Sequence, residues 1–97
     1  MAKANEAVDL QRQALRKSCG EWLRNLREQS GLSQRELAEQ LDIGYYTFVS
    51  QIESGRGRIP PERYNNWAEA LNLEPKAFVR EILKYYEPST YRILFDS

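Results

Sequence analysis

The chain has 97 residues, enough for one domain with a single core that needs neither disulfides nor a structural metal. Its 14 Lys and Arg cancel its 14 Asp and Glu, which argues against a protein that coats nucleic acid through bulk charge. Histidine is absent and Cys19 is the one cysteine, so an intrachain disulfide is excluded; no secretory signal is visible, and no apolar run nears the ~20 residues of a membrane span. A soluble cytoplasmic chain is expected, with no metal, no cofactor and no membrane partner.

Helical patterning runs along the chain, without internal repeats or a low-complexity linker. Residues Asn5 to Lys17 carry Ala7, Val8, Ala14 and Leu15 among charges, predicting a weakly amphipathic N-terminal helix. Ser18 and Glu21 have the spacing of a capping box, and Gly20 weakens any helix running through it, so a new helix is expected at about Cys19. Its apolar face is Cys19, Trp22, Leu23 and Leu26, and Gly31 supplies a left-handed stop.

The next helix opens at Ser33, whose hydroxyl can accept from the Glu36 amide while the Glu36 carboxylate reaches back. Leu37, Ala38 and Leu41 form one buried stripe, leaving Gln34, Arg35, Glu39 and Gln40 outside. Asp42-Ile43-Gly44 interrupts the pattern, with Gly44 as the expected hinge. A further helix is placed from Tyr45 or Tyr46 to Glu53. Val49 and Ile52 face the core and Phe48 lies on its flank, where core packing is the favoured role, while Tyr45, Tyr46, Thr47, Ser50 and Gln51 face outward or serve as the turn. So short a helix needs tertiary packing to persist.

Arg56-Gly57-Arg58-Ile59-Pro60-Pro61 cannot be helical, but Pro61 suits the first turn of a helix reaching about Leu71. Tyr64, Trp67, Ala68 and Leu71 form its buried face and Asn72 ends it. Pro75 begins another helix through about Tyr85, with Phe78, Val79 and Ile82 inward. In the tail, Tyr91, Ile93 and Phe95 alternate with Arg92, Leu94 and Asp96, the pattern of a short strand or an extended arm. That apolar arm either folds back on its own core or finds burial on a second subunit, giving a symmetric dimer with Tyr85, Tyr86, Tyr91, Ile93 and Phe95 at the contact.

LSQRELA (32–38), VSQIESG (49–55) and WAEALNLEP (67–75) agree in cap, glycine and apolar register. From about Trp22 to Leu83 the chain resembles the lambda-repressor-like, Cro-type (XRE) helix-turn-helix family of prokaryotic and phage regulators. Two departures are visible: the turn is about one residue longer than the family pattern, and Tyr45 and Tyr46 stand where small polar residues are common. The resemblance implies an all-α, five-helix DNA-binding domain over 19–86, with an extra N-terminal helix over 1–18 and a short extended C-terminal arm over 87–97.

It further implies a homodimeric repressor on double-stranded DNA, the second helix of the motif in the major groove of a near-palindrome with half-sites about 10 to 10.5 base pairs apart. Bases would meet Tyr46, Thr47, Ser50 and Gln51, with Gln51 suited to adenine N6 and N7 and the Thr47 methyl to thymine. Phosphates would meet Ser33, Gln34, Tyr45, Ser54, Arg56 and Arg58, of which the last two sit in a locally basic stretch. Arg27 and Glu53 would pair with each other to orient the reading helix. The alternative is an antitoxin or adaptor of the same fold that works through a protein partner, a toxin or a co-regulator. Catalysis is not expected: there is no histidine, Cys19 lies on an apolar face, and Gly55-Arg56-Gly57 is no phosphate-cradling loop. Nor does the chain carry a ligand-sensing domain, so small-molecule induction is not expected.

Overall fold

Leu23, Leu37, Val49, Ile59, Trp67, Phe78 and Ile82 are fully or almost fully buried, and they come from five different helices and one loop. The computed structural model describes the backbone of residues 2–96 and the side chains of residues 6–96. Among them the architecture is all-α, as the patterning predicts: α1 (Ala2–Gln29), α2 (Gln34–Gln40), α3 (Thr47–Glu53), α4 (Tyr64–Ala70) after a 3-10 turn at Pro61–Arg63, α5 (Pro75–Tyr86) and α6 (Pro88–Phe95). α1 packs on α3 and α5, α2 on α3, and α5 on α4 and α6. Among the described residues no helix is long and apolar enough to cross a membrane.

Four helices end in the same device. The residue after the C-cap takes a left-handed conformation at Gly31 (φ 73°), Asp42 (56°), Gly55 (83°) and Asn72 (58°). The next amide then bonds back to the third-last helical carbonyl, as in Ile43 N–H to the Ala38 oxygen (2.9 Å) and Leu73 N–H to the Ala68 oxygen (2.8 Å). At α2 this corrects the expected hinge, because Asp42 rather than Gly44 carries the positive φ. A short polar side chain tolerates that region where a branched one does not. Ile43, the residue that follows, packs partly into the core, so chain reversal and burial occur together.

One expected helix break and the expected extended tail are both absent. α1 runs unbroken through Ser18, Cys19 and Gly20, so the N-terminal extension and the first helix of the domain are one helix. Gly20 serves packing rather than interruption. A Cβ there would stand 2.8 Å from the Ile52 carbonyl oxygen and closer still to that of Glu53, so only glycine lets the end of α3 rest on α1. The tail is helical, not extended. Pro88 presets the first turn of α6, and Tyr91 and Phe95, one turn apart, meet in a tilted pair with centroids 5.1 Å apart on the side facing α5. Arg80 lies over the Phe95 ring at 4.4 Å and Lys84 over Tyr91 at 5.4 Å. Ile93 is left 83% exposed.

Tyr86 is also corrected: it is buried in its own core, where its hydroxyl accepts from the Ile59 amide at 3.1 Å, and so is unavailable to a second subunit. Tyr85 is half-buried and stacks on Trp22, which stacks in turn on Phe78, both at 5.7 Å. Trp67 is fully buried. Burial pushes the Cys19 thiol up to about 12, which leaves it protonated and unreactive at neutral pH.

Replacing Gly20 by alanine in an unconstrained helix would stabilise it by about 0.5–1 kcal/mol. Here the added methyl meets backbone, so Gly20→Ala is expected to destabilise by about 1–3 kcal/mol, read as a lower midpoint in urea unfolding.

Candidate nucleic-acid interface

The polar link between α1, α2 and α3 is a buried ion pair. Arg27 Nε donates to Glu53 Oε2 at 2.6 Å and Arg27 Nη2 to Oε1 at 3.0 Å, a two-pronged geometry that a guanidinium offers and an ammonium does not. The residues are 8% and 7% exposed. The remaining capacity is used as well: Arg27 Nη1 donates to the Leu32 carbonyl at 2.8 Å, and Gln34 Nε2 donates to Glu53 Oε1 at 3.1 Å. One carboxylate at the end of α3 thus gathers the end of α1 and the start of α2.

α2 is fixed at both ends. Ser33 Oγ accepts from the Glu36 amide at 3.0 Å and the Glu36 carboxylate accepts from the Ser33 amide at 2.9 Å. That bond to the backbone holds the Glu36 carboxyl below its usual range. At the other end Arg63 donates to the Leu41 carbonyl at 3.4 Å. The Leu41–Tyr46 turn then delivers α3 with Val49, Ile52 and Glu53 inward.

The opposite side of α3 faces solvent. Thr47 and Gln51 are exposed and Ser50 is half-buried. Tyr45 is 71% exposed and Tyr46 is exposed beside it, with Arg35 of α2 over the Tyr46 ring at 5.1 Å. Phe48, for which core packing was the favoured role, is half exposed instead. Ile52, Val49 and Glu53 span the inward arc of so short a helix, and Phe48, about 100° around from Val49, falls at its edge beyond Ile52.

The phosphate candidates separate. Arg56 and Ser54 are exposed after α3, the Ser54 hydroxyl donating to the Gln51 carbonyl at 3.0 Å. Arg58 turns away toward the junction of α5 and α6, where it meets Glu87 at 3.4 Å and lies over the Tyr86 ring at 4.6 Å. The Ser33 hydroxyl is committed to its cap, and Gln34 keeps one amide hydrogen beyond the one given to Glu53. Arg35 is the residue at this surface that sequence reasoning passes over, whereas Phe48 is weighed for DNA contact but assigned to the core, and its exposure overturns that preference. Arg35 was legible only as outward-facing, since its meeting with Tyr46 depends on how the turn folds. Among the described residues no group of His, Cys, Asp and Glu is arranged to hold a metal ion.

Arg27→Met would strand the Glu53 carboxylate with Gln34 as its one remaining side-chain donor. The expected loss is about 3–5 kcal/mol in urea unfolding at pH 7, with a smaller loss when Glu53→Leu is added, because the stranded charge is then gone.

Comparison with protein families agrees with this geometry: a model described as a helix-turn-helix domain matches residues 20–86, from the glycine under α3 to the end of α5. No curated protein sequence matches the chain. The matched span covers both helices of the motif, the turn between them and the helices that pack behind them, and the chain therefore belongs to the helix-turn-helix family of DNA-binding domains.

Proposed function

We propose that the protein is a sequence-specific regulator of transcription of the lambda-repressor-like, Cro-type class, a homodimeric repressor that lays α3 in the major groove of a near-palindromic operator. The observation that carries this reading is the contrast across α3: Glu53, Val49 and Ile52 are buried, while Thr47, Gln51 and the tyrosines at its start stand in solvent. A helix tied down through its inner side and bare on its outer side is what groove insertion requires.

In this reading Tyr46, Thr47, Ser50 and Gln51 meet base edges, and Phe48 adds a ring for thymine methyl contact. Tyr45, Ser54 and Arg56 serve phosphates, joined by Arg35 and by the free amide hydrogen of Gln34. Ser33 acts by fixing the start of α2, and Arg58 contributes little in its present orientation. Zero net charge weakens this reading without overturning it, since a site-specific binder that touches a few phosphates per subunit needs only a local basic patch. The dimer contact falls to the exposed part of α6, with Ile93, Leu94 and Phe95 in place of the buried Tyr86. That apolar exposure, with Val8 and Leu10 exposed on α1, also favours a second reading, an adaptor or antitoxin that docks a protein partner.

A selection of bound sequences from random duplex DNA tests the first reading, and a recovered palindrome gives the dimer symmetry. On the recovered site, Thr47→Ala/Ser50→Ala/Gln51→Ala is expected to bind at least ~100-fold more weakly with folding unchanged. Undiminished affinity, or a selection that enriches nothing, contradicts it.

A further inference from the structure

The N-terminal half of α1 faces the junction of α5 and α6 across a groove of about 670 Å³, within the range of ordinary small-molecule sites. Four guanidinium groups line it: Arg12 and Arg16 from α1, Arg58 from the loop after α3, and Arg92 from α6. Among the described residues that line it a single carboxylate, Glu87, opposes them, and it is engaged by Arg58 at 3.4 Å. Among the described residues Arg12, Arg16 and Arg92 form no salt bridge with a carboxylate. Ser89 adds a hydroxyl within 3.5 Å of Arg92 Nη2, and Tyr85 contributes an aromatic wall.

In a chain whose net charge is zero, four cations around one concavity with one anion make a local excess of positive potential that attracts a negative ligand. Guanidinium groups from three separate parts of the chain can address several phosphoryl oxygens at once, each by paired N–H donors. No residue of α2 or α3 lines the groove, so an occupant leaves the outer side of α3 open. We infer that this groove binds a small anion bearing two or more phosphoryl groups, independently of the surface assigned to DNA.

Isothermal titration of the full chain at 0.15 M salt with inorganic tripolyphosphate, with sulfate as the single-centre control, tests this. Tripolyphosphate is expected to bind at least tenfold more tightly than sulfate. Arg12→Ala/Arg16→Ala/Arg92→Ala is expected to weaken it at least tenfold, and Arg12→Ala alone, at an exposed position, to weaken it in the same direction. Arg24→Ala, at an arginine outside the groove, should leave it unchanged. A nucleoside triphosphate that binds more tightly still supports the same site, with its base against the Tyr85 wall. Equal binding of sulfate and tripolyphosphate overturns the inference, as does unchanged tripolyphosphate binding by the folded variants. So does a loss confined to random-sequence duplex DNA, which would make the groove a contact for the DNA backbone.

Discussion

The arrangement of this molecule depends on two constraints that meet at one residue, Glu53. Its carboxylate is buried against Arg27 and shared with Gln34, while its carbonyl lies where a side chain at position 20 would be. The first constraint is electrostatic: a buried charge is tolerable only when its acceptor sites are filled, so Arg27 and Gln34 must converge on it. The second is steric, and α3 can reach Arg27 only because Gly20 has no Cβ. Together they set the distance and the rotation of α3 against α1. The direction in which Thr47 and Gln51 point follows from that.

Such a pair need not add net stability over an apolar replacement, and its value here lies in specificity of placement. Val49 and Ile52 alone would hold a seven-residue helix against a core but leave its rotation poorly determined. The bidentate Arg27–Glu53 geometry removes that freedom at the C-terminal end. At the other end, the Schellman stop at Asp42 and the partly buried Ile43 aim the turn. Arg35 over Tyr46 then places a cation beside the exposed start of the helix.

Much of this is legible in the amino-acid sequence alone. The Ser33–Glu36 box, the apolar spacing through Leu41, the end of α3 at Glu53 and the start of α5 at Pro75 each follow from local chemistry, and the structure carries all four. What failed depended on residues distant in the chain. Gly20 reads locally as a helix breaker because its partner, the end of α3, is far along the sequence. Tyr91, Ile93 and Phe95 alternate like a strand, yet three residues cannot separate a period of 2 from one of 3.6, and the i, i+4 pairing of Tyr91 with Phe95 decided for helix. Tyr86 looked free until Ile59 supplied a buried amide for its hydroxyl. In the candidate site, the residue types on α3 were readable and the exposure of Phe48 was not, since a hydrophobic residue next to two inward positions has no local signature of facing water.

Native-state hydrogen exchange, comparing the wild type with Arg27→Met, tests most directly whether the buried pair makes α3 part of the same cooperative unit as α1. In the wild type the Ile52, Glu53 and Ser54 amides are expected to be protected as strongly as those around Leu23. In Arg27→Met, α3 should lose its protection while the Leu23 region keeps protection equal to the remaining global stability. If the α3 amides of the wild type already exchange orders of magnitude faster than those around Leu23, or if the variant leaves their relative protection unchanged, the pair does not hold this helix in place.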